Sequence, residues 1–212
     1  MSVPRAWRIT LWAVLAILMV GSGLATYRWV MPKPITAAQF YATVLDHPRP
    51  VPDFDLMGTD GRHFDRQHLH GHWTFLFFGF THCGSVCPVT MAELAKMYRL
   101  VSQQPGLPLP QVVMMTLDPK RDDLVRMKEY VQAFDPHFLG ARGSMQAVQV
   151  LARHMGIAYT RIQTGVKAQN DYNIEHSGAI MLLNPNEELV AFFTPPHRAE
   201  LMARDYQLLN TR

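Results

Sequence analysis

Cysteine is scarce in this chain: 212 residues hold two, Cys83 and Cys87, with three residues between them. With so few, a disulfide-stapled framework is excluded, and a core must come from apolar packing. Dense Lys/Arg runs are also missing. With 20 basic and 17 acidic residues the net charge is +3, and despite a sequence pI near 9.0 there is no electrostatic footprint for nucleic acid. No internal repeat and no low-complexity segment interrupts the chain. Charge is absent altogether from Ile9 to Tyr27, ITLWAVLAILMVGSGLATY.

That uncharged run is long enough to cross the roughly 30 Å hydrocarbon core as a helix. Arg5 and Arg8 precede it, Arg28 and Lys33 follow it, and Trp7, Trp12, Tyr27 and Trp29 stand near its ends, where amphipathic rings prefer the interface. It therefore predicts a single transmembrane helix through residues 9–27, with the short tail inside and everything after about residue 30 exported. The alternative is a cleaved signal peptide with SGLA (Ser22 to Ala25) as its cleavage site. The run exceeds the usual 7–15-residue apolar core of such a peptide, which favours an uncleaved anchor. No cysteine lies near the span to carry a lipid. Export matters because an oxidising compartment drives two neighbouring thiols to a disulfide unless they are reduced or metal-bound.

Residues 1–30 thus form the tail and anchor. Residues 31–50, with prolines at 32, 34, 48 and 50, read as a linker, and 51–212 as one domain. At 48% hydrophobic and 17% charged residues the composition is globular. VPDFDLMGTDGRHF from Val51 predicts a β-hairpin. WTFLFFGF from Trp73 is apolar on both alternating faces, as in a strand buried inside a parallel sheet. Met91, Leu94, Tyr98 and Val101 then repeat at helical spacing. QVVMMTL (111–117) gives a second buried strand. Two further helices follow near 124–134 and 144–155, a short strand at Tyr159 to Ile162, a hairpin over 178–193, and a last helix from about Pro196 to Leu209. The fold class is α/β, a sheet with helices on both faces, and sites in such sheets form at the carboxyl ends of strands.

Cys83 follows directly after one such end. Pro88 suits the first position of a helix, which puts Cys83 in the loop and Cys87 at the helix start, where unpaired N–H groups favour thiolates. The spacing permits a disulfide or a shared ion and does not choose between them. A metal needs a third ligand. Two thiolates with one imidazole suit Cu(I), and the same set with an open position can hold Cu(II), whereas structural zinc ordinarily takes four protein ligands. Ten histidines compete for the role. His176 leads into an apolar strand, His82 adjoins Cys83, and His68, His70 and His72 alternate in HLHGH. The 13 methionines show no Met-x-Met clustering and read as core material rather than a copper relay.

Taken in order, PDF at 52–54, FFGFTHCGSVCP at 77–88, TLDPKRDD at 116–123 and YNIEHSG at 172–178 resemble the successive signatures of the Sco/SenC family, over about Val51 to Leu209. The resemblance implies a thioredoxin-like copper-binding domain with an N-terminal β-hairpin, whose ligands fall on Cys83, Cys87 and His176. Asp118 matches the acidic residue of the family's DP-x-RD segment and is expected to position or hydrogen-bond the site. Gly84-Ser85 replaces the family's usual Pro-Asp between the cysteines. The implied function is a membrane-anchored copper chaperone that delivers copper to the dinuclear centre of cytochrome c oxidase subunit II, with an upstream copper donor or thiol reductant as second partner. Its implied place is a bacterial inner membrane, domain facing the periplasm, or the equivalent mitochondrial site. The competing reading is a thiol-disulfide reductase or redox sensor with Cys83 as nucleophile and Cys87 as resolving thiol. Thioredoxin-like enzymes usually carry a proline before the strand near residue 179. EHSGA lacks one, which favours metal.

Overall fold

The computed structural model describes residues 5–30, 40–164 and 172–211. The chain divides into two compact units, Met1–Gln39 and Phe40–Arg212. Within the first, α1 (Arg5–Val30) is one unbroken helix of 26 residues. Among the described residues no helix is long and apolar enough to cross a membrane. The side chains of Arg5, Trp7, Arg8, Arg28 and Trp29, read as flanking the span, lie outside that description, as do residues 31–39 of the expected linker.

The folded unit begins at Phe40. Its described residues form ten strands: β1 (Thr43–Pro50), β2 (Asp55–Gly58), β3 (His63–Asp65), β4 (Thr74–Gly79), β5 (Gln111–Thr116), β6 (Leu139–Arg142), β7 (Tyr159–Gln163), β8 (Tyr172–His176), β9 (Ile180–Leu183) and β10 (Glu188–Phe193). Four helices complete it: α2 (Val86–Ser102), α3 (Leu124–Gln132), α4 (Met145–His154) and α5 (Ala199–Asn210). Eight strands make one sheet in the order β1-β10-β9-β4-β5-β6-β2-β3, and β7 with β8 make a separate two-stranded sheet. At the centre β4 runs parallel to β5 and antiparallel to β9. Every residue of β4 is buried, so the sheet is covered on both faces there, as its unbroken apolar run predicts. Phe75, Phe77 and Phe78 fill the core from β4, and Met91, Leu94, Met97 and Val101 from α2 meet the same core.

Three boundaries differ from expectation. Residues 43–50 belong to the folded unit rather than a linker, as β1 pairs antiparallel with β10. Pro48 and Pro50 are tolerated because β1 is the sheet's edge, where a missing N–H costs no ladder bond on the open side, and the pairing shifts between Val44 and Arg49. Helix α2 starts at Val86 with Ser85 as its N-cap, so Pro88 is its third residue. Any first-turn position suits proline, since the amides there lack helical partners. Finally β6, a four-residue LGAR strand parallel to β5, was not legible as a strand.

Candidate metal centre

β4 ends at Gly79, and its chain turns through Phe80, Thr81 and His82 to Cys83 before α2 begins. The turn is fastened by Asp122, itself fully buried. Its carboxylate accepts from the Thr81 amide at 3.0 Å, the Thr81 hydroxyl at 2.6 Å and the Thr116 hydroxyl at 2.6 Å. Cys83 is partly exposed and Cys87 buried, and no disulfide joins them. The Cys87 amide, in the first turn of α2, donates to Cys83 Sγ at 3.4 Å. Gly79 makes room for the second sulfur: a methyl there would stand 2.7 Å from the Phe77 ring and 3.2 Å from Cys87 Sγ.

The third group arrives on β8. His176 Nε2 lies 3.4 Å from Cys87 Sγ, and one donor atom from each of Cys83, Cys87 and His176 falls within 4.8 Å of the others. The imidazole is flanked by Phe77 and Phe80, with ring centroids at 5.9 and 6.1 Å. Gly178, at φ +62°, turns its N–H onto His176 Nδ1 at 3.2 Å, so that nitrogen accepts and the neutral ring carries its proton on Nε2, facing the sulfur. The Gly178 carbonyl in turn accepts from His197 Nε2 at 2.9 Å. Positive φ makes glycine the natural residue at that corner.

Two thiols so close do not titrate alike. The Cys83 thiol is held far below its ordinary pKa, first by the hydrogen bond from Cys87, then, against the cost of burial, by His176 and the amides of Ser85 and Cys87. Cys87 moves the other way, raised by that same hydrogen bond, by burial and by the charge on Cys83. The metal-free pair therefore gives up its first proton more readily at the partly exposed sulfur than at the buried one.

Asp118 does not touch the sulfurs. Fully buried, it accepts from the Tyr172 hydroxyl at 2.6 Å and from Arg121 Nε, while Arg121 also donates to the Tyr172 carbonyl at 2.9 Å. Tyr172 is the first residue of β8, so Asp118 acts through the strand that carries His176. Of the other histidines, His82 turns from the thiols to Asp122, Nδ1 to Oδ1 at 3.4 Å. His68 pairs with Asp65 and His70 with Glu187, so HLHGH does not gather into a metal site. Cys83, Cys87 and His176 are the one metal-competent group among the described residues. Asp122, Arg121, Gly178 and His197 went unremarked in the sequence. The run RDD at 121–123 was the available signal, but nothing in it says which carboxylate meets Thr81.

The fold and site together define a thioredoxin-like α/β domain with a dithiol and an imidazole converging at the carboxyl end of its central strand. Residues 43–209 match the SCO1/SenC family, and the chain belongs to that family. It is 37% identical to the mitochondrial SCO2 homolog of Mus musculus over 149 residues, which are 70% of this chain and 57% of that protein. The chain thus spans little more than half the length of that relative. Among solved structures it is similar to apo Sco1 of Thermus thermophilus, at 31% identity and TM-score 0.70, covering 80% of this chain and 96% of that one. It is also similar to Arabidopsis thaliana ScoI, whose crystal structure has copper bound, at 28% identity and TM-score 0.69, covering 76% and 98%.

Proposed function

We propose that this protein binds copper through Cys83, Cys87 and His176 and delivers it, as a membrane-anchored chaperone, to the dinuclear copper centre of cytochrome c oxidase subunit II. The observation that carries the reading is the convergence of two sulfurs and one imidazole nitrogen within 4.8 Å at the sheet's carboxyl edge. The donor set is soft and has three members, which suits Cu(I) and leaves room for an incoming ligand. Stepwise displacement by the recipient's thiols requires one sulfur within reach, and Cys83 is the partly exposed one. Capturing the ion requires Cys87 to give up its proton, so uptake is disfavoured as pH falls. Anchoring rests on the uncharged stretch 9–27 of the sequence, which falls within the continuous helix Arg5–Val30. Its described side chains Trp12, Ile17, Leu18 and Met19 are exposed. Placement in a bacterial inner membrane, with the domain outside the cytoplasm, belongs to the same proposal.

The second reading is a thiol-disulfide reductase, favoured by the asymmetry of the pair. Cys83 thiolate would attack a partner disulfide and release one partner thiolate. Cys87, losing its proton to solvent, would then attack the Cys83 sulfur of the mixed disulfide. The partner gains two electrons and leaves as a dithiol, and Cys83–Cys87 leaves as a disulfide to be reduced by an external thiol. Anaerobic Cu(I) and Cu(II) titration of the wild type beside His176→Ala, with reductase kinetics on the same samples, separates the two. The chaperone reading expects copper affinity to fall by more than about 100-fold, beyond the loss usual for outer-shell changes. Unchanged affinity with high reductase activity would overturn it.

A further inference from the structure

A second concave surface starts beside the metal centre. Glu175, His176 and Ser177 of the β8 end form an opening with Ala158, Tyr159 and Thr160. The same three residues 158–160 also line a larger groove of ≈ 580 Å³ that runs away from the site between α4 and the β7–β8 hairpin. The groove is within the size range of specific binding sites. Its floor is apolar, from Leu117, Ile157 and Ile174, and its walls carry Lys120, Arg153 and Arg161. All three cations are exposed, and none has a carboxylate partner among the described residues. Arg161 lies over the Tyr172 ring at 4.1 Å, which orients its guanidinium without neutralising it. Arg153 sits in the last turn of α4, where the helix dipole favours a cation yet leaves its donors available.

Three unneutralised cations around an apolar floor select an anion with some apolar body. They are too few and too local for a nucleic-acid track. Glu175 at the metal end repels carboxylates there, so the anionic part of an occupant lies toward α4 and not over His176. The groove's continuity with the His176 opening gives the occupant a use, since a segment seated there fixes the rest of its protein against the thiols.

We propose that this groove receives an acidic segment of the polypeptide that exchanges copper with Cys83, Cys87 and His176, its carboxylates meeting Lys120, Arg153 and Arg161. This rests on the copper-transfer reading and adds the chemistry of the partner. Steering by such charges acts on encounter rate and register more than on the strength of the metal site.

The test uses the full chain in neutral detergent and a fluorescein-labelled oligoglutamate peptide as probe, read by anisotropy across a salt series. Lys120→Glu with Arg153→Glu is compared with Arg62→Glu with Arg99→Glu, the same change in net charge away from the groove. The groove pair is expected to weaken peptide binding by roughly tenfold and to flatten its salt dependence, and the remote pair to leave it within about twofold. Lys120→Gln with Arg153→Gln, intermediate in effect, guards against misfolding of the reversed variant. Equal weakening by both pairs overturns the proposal. So does complete displacement of the peptide by inorganic phosphate, or binding to phosphatidylglycerol vesicles that the groove pair abolishes while peptide binding persists. Cu(I) titration of the same samples keeps the two readings apart. A wild type that takes the peptide but no copper defeats the chaperone and leaves the groove. A wild type that takes copper, with groove variants that bind peptide normally, defeats the groove alone.

Discussion

Asp118 and Asp122 stand four residues apart in one loop after β5, and both are fully buried, yet they serve different halves of the metal centre. Asp122 holds the thiol turn through neutral donors, the amide and hydroxyl of Thr81 and the hydroxyl of Thr116. Asp118 holds the histidine strand through an ion pair with Arg121 and the Tyr172 hydroxyl, 54 residues along the chain. A short local turn is set by hydroxyls and amides whose positions β4 and β5 already fix. A distant strand needs a charged clamp that brings in a partner the sheet does not supply. The site is therefore two arms fastened to one loop.

The largest effect is expected at the charged clamp. Asp118→Ala breaks the buried ion pair with Arg121 and removes the acceptor of the Tyr172 hydroxyl, and denaturant unfolding should show a loss of about 3–5 kcal/mol. Copper affinity should fall roughly 10–100-fold as His176 loses its register, while Cys83 alkylation stays fast. Next comes Asp122→Ala, at about 2–3 kcal/mol from donors left unpaired, with the pattern reversed. Wild-type Cys83 should alkylate at a rate nearly flat from about pH 8 to about pH 5. Its depressed pKa keeps the thiolate present as pH falls, where an ordinary thiol loses about tenfold per unit below its own pKa near 8.5. Asp122→Ala should give that profile a slope, and Asp118→Ala should not. If both variants gave the same profile, the two-arm comparison would be wrong.

Gly79→Ala comes third, at about 1–3 kcal/mol, because its methyl collides with Phe77 and crowds the Cys87 sulfur. Weaker copper binding at unchanged Cys83 reactivity would place that damage on the buried thiol. The smallest effect is expected at Ser85→Ala. The Ser85 side chain makes no cap hydrogen bond to α2, so calorimetry should find a change under about 0.5 kcal/mol. Open space around Gly84 likewise leaves room for a side chain there, and nothing in the structure explains why Gly84-Ser85 replaces Pro-Asp.

The thiol arm was legible because its signals are local: an apolar run, a turn, then helical periodicity from Met91. The histidine arm was not. His176 reaches Cys87 only because β8 pairs with β7, in a register that sets Tyr159 against His176, and no spacing rule announces a contact across 89 residues. Family resemblance supplied that ligand, and with it Asp118. Asp122 escaped notice because its partners, Thr81 and Thr116, become its neighbours only through the parallel pairing of β4 with β5. The edge strand β1 was lost to a sound rule applied at its exception, since prolines break strands except where one side has no neighbour.

Among the described residues the β7–β8 hairpin keeps its ladder bonds to itself and joins no strand of the main sheet. Swinging it aside as a body would break no backbone pairing. The resistance comes from the tyrosine clamp, the glycine corner and the apolar burial of Tyr172 and Ile174 against the core. The imidazole thus meets the two sulfurs only while the hairpin is docked, and loosening Tyr172 would withdraw His176 while leaving Cys83 and Cys87 on their own turn.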